Sequence, residues 1–392
     1  MHTVSFFRVV IPIWITLVLG SCTTTPQKGA PEQGSFITYL GQDTLAAEHF
    51  SITSTRVEAE VMLRTPKTTI RRYVMELDDA GIMRRLEATV RDPASPEAPP
   101  LRKDLLQATS SGFDLIVTAD GEETTQSIEA GAESLPFLDM IHWPFELMLK
   151  RAHAADTAPF EQELLSGRRS LMFEIQGLST DSMTVKHPFR GTMGVSVDDA
   201  GRLQLLDAGA TTRKLRVYRK SNVDVPALAA QFAARDAAGA PFGPLSGRGE
   251  TLAAIHGASI KVDFGQPVTR GRQIFGHLVP WGEIWRTGAN RATHLETNKD
   301  LQFGDVFMPA GTYTLYTIPQ PDGGLLMINK QTGQGGTTYN EDQDLGRVSL
   351  QASLLDQPVE VFTIAVSEED EQGVLQIKWD QTALTVPFSV KQ

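Results

Sequence analysis

Between Asp263 and Asn290 the chain gathers residue types suited to polar ligands. Arg286 offers a planar five-donor fork matched to a carboxylate or phosphate. Asn290 carries donor and acceptor together and tolerates a left-handed backbone, while Gly288 permits close approach to the main chain. Trp281 and Trp285 present flat faces for a sugar ring or another apolar group. Asp263, Trp281, Trp285, Arg286, Thr287 and Asn290 are therefore the candidate ligand-binding residues, a polar cleft floored by aromatics. A purely structural arrangement of the same residues competes. It pairs Arg286 with Asp263 or Glu283, caps a turn with Asn290 and buries the tryptophans.

Catalysis has less support in the residue pattern. His277, Glu283, His294 and Glu296 are close in sequence but lack the H-E-x-x-H spacing of a metal site. A hydrolase or metal-assisted enzyme would centre on Asp263, His277, Arg286 and Asn290, with His277 within hydrogen-bond reach of an acid. Asn340, Asp342 and Asp344 imitate the start of a calcium loop, yet Leu345 stands where Gly is needed and Gln351 where the bidentate Glu is needed. No G-x-S-x-G elbow, P-loop or dinucleotide fingerprint is present. No catalytic residue, metal ligand or cofactor is assigned. A non-catalytic binding or assembly role is the expectation, with a lipid, glycan or envelope protein as ligand.

The same stretch carries a resemblance. Asp263-Phe264-Gly265-Gln266-Pro267 is followed by Ile274-Phe275-Gly276, Leu278-Val279-Pro280-Trp281-Gly282 and Trp285-Arg286-Thr287-Gly288-Ala289-Asn290. Further on come Ala310-Gly311-Thr312-Tyr313, Thr317-Ile318-Pro319, Asn329-Lys330, and Tyr339 with Asp344 and Arg347. In this order they resemble the bacterial family called domain of unknown function 2911, from about Ser259 to Phe388. Two departures stand out: Gln334-Gly335-Gly336 replaces a Trp-Gly ahead of the Tyr, and Arg291 stands where the family often has an acid. The resemblance implies no known reaction.

These residues need elements to hold them. From Ser35 to Lys220 apolar residues alternate, as in Tyr73, Met75, Leu77 and in Leu171, Phe173, Ile175. Asp78-Asp79-Ala80-Gly81 recurs as Asp198-Asp199-Ala200-Gly201, a hairpin turn in which Asp bonds its own backbone and Gly takes φ > 0. Leu138, Ile141, Phe145, Leu149 and Ala152 fall at helical spacing, with Pro144 starting or kinking the helix. One apolar helix among antiparallel strands must cover a sheet face. The arrangement looks like the half-barrel of periplasmic lipoprotein carriers. Val225 to Ala238 reads as a short helix, and Gly239 to Gly249 as a boundary. Short alternating strands return after Ala258, as in a β-sandwich or jelly-roll. The expected fold is mostly β, in five parts: 1–21 signal, 22–34 tether, 35–221 half-barrel-like antiparallel domain with one covering helix, 222–257 helix and linker, 258–392 sandwich.

The N-terminus supplies an address. Val9 to Leu19 is an apolar run of 11 residues, about 16 Å of helix, short of a hydrocarbon core of about 30 Å. Leu19-Gly20-Ser21-Cys22 then resembles the bacterial lipoprotein signal, and Cys22 is the chain's single cysteine. The resemblance implies acylation of Cys22 by diacylglycerol and a third, palmitate-like chain on its amine. Several chains give lasting anchorage where one does not. Thr23, in place of an Asp, favours the outer membrane, so the membrane itself is the expected partner. The balance of 36 cations against 47 acids leaves −11, and no basic run exists to displace counterions from nucleic acid.

Overall fold

The computed structural model describes residues 31–155 and 158–391. Residues 1–21 and Cys22 therefore lie outside the described residues, as does most of the tether. The described residues form two large, mainly antiparallel sheets, of fifteen and nine strands.

The fifteen-stranded sheet is a meander folded about its first strand, Glu32–Leu40. That strand pairs with Asp43–Ile52 on one side and with the last strand, Leu215–Lys220, on the other. Alternation sends neighbours to opposite faces. Phe36 opposes Glu48 and Arg219 on the concave face, whereas Ile37 opposes Ala47 on the convex one. The two ends of the sheet approach each other, and Gln126 donates to the Arg168 carbonyl across them.

Helix α1 (Trp143–Ala154) fills the concave side with Trp143, Phe145, Met148 and Leu149. Pro144 occupies its first turn, where no amide is missed. Leu138 and Ile141, placed in this helix by periodicity, precede it. They line its approach and pack on the same core. The helix has no capping side chain of its own. Instead the fully buried Glu48 carboxylate accepts the His142 and Trp143 N–H groups at 2.9 Å, a charge-assisted substitute for a cap.

Both Asp-Asp-Ala-Gly turns form as expected. In each, the first Asp accepts the amides two and four residues on and pairs with an arginine, Arg84 or Arg202. Gly81 and Gly201 take φ of 75° and 73°.

Three boundaries move. The first strand starts at Glu32, inside the expected tether, because Gly34 must lie against the Phe50 ring, leaving no room for a Cβ. Helix α2 (Val225–Ala237), placed in the linker by sequence, docks through Val225, Ala229 and Phe232 on the convex face. The half-barrel domain thus carries helices on both faces. Third, Ser246–Ile255 is an edge strand paired with Ala258–Pro267, so the second sheet begins twelve residues before 258. Gly247 and Gly249 read as loop. Gly249 is in fact required in the strand, since a Cβ would stand 2.5 Å from the Phe264 ring opposite.

In the nine-stranded sheet, the long strands Asp344–Glu369 and Gln372–Val390 form a bent hairpin with register breaks near Val359. The bend folds the hairpin tip back over the first two strands, where Thr251 donates to the Ile364 carbonyl and Val268 bridges Val361. This sandwich-like closure buries Trp379, Phe362 and Phe264.

Arg270 locks the two domains together. It is nearly buried, lies 3.7 Å over the Phe242 ring and pairs with Asp43 at 2.9 Å. Its carbonyl accepts the Gln42 amide at 3.0 Å.

Candidate functional site

The loop from Trp285 to Asn290 is held down at three points. Trp285 exchanges two backbone hydrogen bonds of 2.8 Å with Thr317. Its indole N–H donates to the Gly288 carbonyl at 3.1 Å. The Ala289 carbonyl rests so closely on Gly265 that a Cβ there would clash at 1.8 Å. Thr287 and Asn290 take left-handed φ of 51° and 63°. Thr287 turns inward, fully buried, against the Thr317 hydroxyl at 3.2 Å. Arg286 and Asn290 are left to face solvent.

Arg286 has no ion-pair partner among the described residues. Its one side-chain bond is a long one, 3.4 Å, to the Asn290 carbonyl. Burial pushes its guanidinium below the ordinary arginine value, and no carboxylate offsets this. An unpaired, partly desolvated guanidinium is costly for a fold to keep.

Arg286 opens onto a cleft of about 260 Å³ between the two domains. The half-barrel contributes Arg213 and Lys214. The sandwich contributes Arg272, Arg286, Asn290, Trp285 and Trp379, and among the described residues no aspartate or glutamate lines the cleft. Arg213 is already clamped, with Arg190, on Asp139. Burial pushes the Asp139 carboxyl up, but the two guanidinia outweigh it and hold the group below the usual carboxylate range. Arg272 spends its donors on the Thr269 and Val268 carbonyls. Lys214, at a left-handed φ of 58°, has no carboxylate partner among the described residues. Burial, then the charge of Arg272, lowers its ammonium below the ordinary lysine value. On the cleft wall Trp379 is 1% exposed, and its indole N–H has no acceptor among the described residues. Trp285 stacks on it at 6.0 Å.

Of the six candidates, Trp285, Arg286 and Asn290 meet at this cleft. Asp263 does not. It pairs with Arg248 across the edge strand at 2.8 Å, and that hydrogen bond is the main reason its carboxyl sits below the ordinary range. The expected pairing of Arg286 with Asp263 or Glu283 is therefore not formed. Trp281 stacks at 5.6 Å on Phe275, half-exposed and outside the cleft lining. Thr287 shapes the loop without reaching the cleft.

The acid–base arrangement around Asp263, His277, Arg286 and Asn290 is not assembled. His277 lies in the adjoining groove and makes no side-chain hydrogen bond to an acid among the described residues. No group of three metal-ligating side chains is placed to hold an ion among the described residues. Elsewhere the motif residues Tyr339, Asp344 and Arg347 do converge, the phenol donating to Asp344 at 2.6 Å with Arg347 bridging both. The Asn340 side chain caps the short turn before them.

Sequence reasoning missed Arg213, Lys214, Arg272 and Trp379. Arg272 stands between the Asp263–Pro267 and Ile274–Gly276 motifs, and Arg213-Lys214 is a plain hairpin pair whose neighbours in the cleft come from the other domain.

A second concavity, of about 420 Å³, lies inside the half-barrel. Leu86, Leu106, Leu115, Phe137 and Met140 line it, with Arg71 and Arg102 among its polar residues.

The geometry can be set beside known proteins. Residues 246–388 match the family model described as "Protein of unknown function (DUF2911)". The match spans the C-terminal third of the chain. The matched range begins with the edge strand at Ser246, so the DUF2911 region and the second sheet start together. Arg272, Arg286 and Asn290 come from the DUF2911 region, Arg213 and Lys214 from outside it. No curated protein matches the chain. Among solved structures, the chain is similar to a DUF1089 family protein from Pseudomonas aeruginosa, at 15% identity and a TM-score of 0.29, over 42% of this chain and 90% of that one. A beta-barrel-like DUF1849 domain protein from Brucella abortus shows 10% identity and a TM-score of 0.32, over 48% and 95%.

Proposed function

We propose that the protein is a non-catalytic binding module of the cell envelope, and that the interdomain cleft is its site for an anionic ligand. One observation carries the reading: among the described residues the lining holds four cationic side chains and no carboxylate, in a chain whose net charge is −11. Arg286 and Lys214 lack counter-charges of their own, so a carboxylate or phosphate supplies what the fold omits. Asn290 completes the set with an amide that suits a hydroxyl or carbonyl.

Placement at the outer membrane rests on Cys22, the lone cysteine, standing directly after Leu19-Gly20-Ser21. Acyl chains there tether the binding domains to the lipid surface. Mass spectrometry of membrane extracts checks this. An unmodified amino terminus in the soluble fraction removes the envelope placement while leaving the cleft reading intact.

The cleft is tested by isothermal titration of inorganic phosphate and of glucuronate into the mature chain carrying Cys22→Ser. The expected result is saturable binding of at least one anion, weakened tenfold or more by Arg286→Met. Absence of binding, or binding indifferent to Arg286→Met, overturns the proposal.

The apolar concavity of the half-barrel favours a second ligand class, an acyl chain, as the likeness to lipoprotein carriers suggests. Displacement of a fluorescent fatty acid, and its loss on Leu106→Asp, measures this independently.

A further inference from the structure

The cleft does not end at Arg286. A second groove of about 320 Å³ adjoins it, and the two share Lys214, Arg272 and Leu278 in their walls. Arg216 extends the cationic lining, His277 adds an imidazole, and among the described residues no aspartate or glutamate lines it. Arg216 keeps an outside counter-charge, Asp207 at 3.0 Å. Lys214 and Arg272 therefore stand at the junction of two acid-free hollows running along the domain boundary.

We infer that the ligand is a linear acidic glycan, with carboxylates repeated along a chain that spans both hollows. This inference rests on the reading of the cleft as an anion site. A single small anion needs one hollow only. Two hollows in series, bridged by a lysine and an arginine, match charges repeated along a chain. The neutral groups decide the class. Asn290 in the first hollow and Gln273 in the second are side-chain amides, which pair with sugar hydroxyls as both donor and acceptor, and Gln42, whose Nε2 donates to the Gly271 carbonyl, keeps its oxygen as an acceptor. Trp285 and Tyr39 add one ring to each hollow, and a pyranose face packs on such a ring. Arg286 and Lys214 take one carboxylate, and the N–H groups that Arg272 does not give to the Thr269 and Val268 carbonyls face the next, with the His277 ring in the same wall as a hydrogen-bond partner.

The test titrates galacturonate, its trimer and its hexamer into the mature chain carrying Cys22→Ser, at low and at moderate salt. Exposed Gln273 and His277 are replaced together by alanine, and Arg286 separately by methionine. Hexamer affinity is expected to exceed monomer affinity well beyond the roughly sixfold that six equivalent sugars give by statistics alone. Gln273→Ala with His277→Ala lowers hexamer affinity about fivefold or more and leaves the monomer unchanged. Arg286→Met weakens both. Monomer and hexamer of equal affinity overturn the extended glycan while sparing the single-anion cleft. Failure of every sugar acid with phosphate still bound also overturns it alone. Failure of all anions removes both readings. A single-stranded oligonucleotide of equal charge that binds more tightly than the hexamer refutes the glycan class.

Discussion

Replacing Arg286 with methionine separates a binding residue from a structural one, because the two roles predict opposite signs. Met keeps most of the aliphatic stem, whose Cδ lies beside Gly336. What is lost is a partly desolvated charge without a carboxylate partner and one weak bond of 3.4 Å to the Asn290 carbonyl. A bond so long contributes at most about 0.5 kcal/mol. Removing an uncompensated guanidinium returns about 1 kcal/mol, allowing for its partial solvation. The free variant is thus expected to be more stable by roughly 0.5–1 kcal/mol. Urea denaturation followed by tryptophan fluorescence reads this as a midpoint raised by a few tenths of a molar, for a slope of about 2 kcal/mol per molar. Phosphate or galacturonate at ten times its dissociation constant then stabilises the wild type by about 1.4 kcal/mol and a variant that binds tenfold or more weakly by at most about 0.4 kcal/mol. The order of stability reverses when ligand is added. A free variant weaker than wild type by 1 kcal/mol or more refutes the reasoning and makes Arg286 a structural residue.

Other expectations follow from the scaffold. Glu48→Ala leaves the buried His142 and Trp143 amides without an acceptor and is expected to cost about 3 kcal/mol in urea unfolding, with Glu48→Gln costing less. His187 accepts the Phe189 amide through Nδ1, and burial pushes its pKa down to about 4, with Arg190 adding to the effect. The unfolded chain therefore binds a proton that the folded one refuses. Stability present above about pH 6.5 is lost as pH falls towards 4, by up to about 3 kcal/mol, and urea midpoints of His187→Phe lose this slope. Arg270→Ala removes the pair with Asp43 and the contact on Phe242. Limited proteolysis in the stretch 238–245 is expected to accelerate severalfold, with both sheets still folded by circular dichroism.

Much of the scaffold was legible because its rules are local. Alternation of Tyr73, Met75 and Leu77 marks a strand whatever lies beside it, and the twin Asp-Asp-Ala-Gly turns act within five residues. The buried stripe of α1 was equally plain, though Leu138 and Ile141 extended it too far because both pack on the same core. Gly249 misled for a definite reason: glycine marks a loop in sequence, yet here it makes room for the Phe264 ring across an edge strand. The docking of α2 on the convex face depends on Ala47 and Met62, far away along the chain.

The cleft was legible only in half. Arg286, Asn290 and Trp285 lie within one motif and could be read together. Asp263 looked like their natural counter-charge, but the register of the edge strand hands it to Arg248. Lys214 and Arg213 lie some seventy residues earlier in a different sheet, and only the packing around Arg270 brings them opposite. A charge inventory by sequence counts them as ordinary surface cations.

Dividing the recognition surface between two separately cored bodies makes occupancy a report on the integrity of the whole chain. Neither half owns enough cations to hold a polyanion, so a single cut in the connecting stretch, followed by parting of the halves at Arg270, silences both at once.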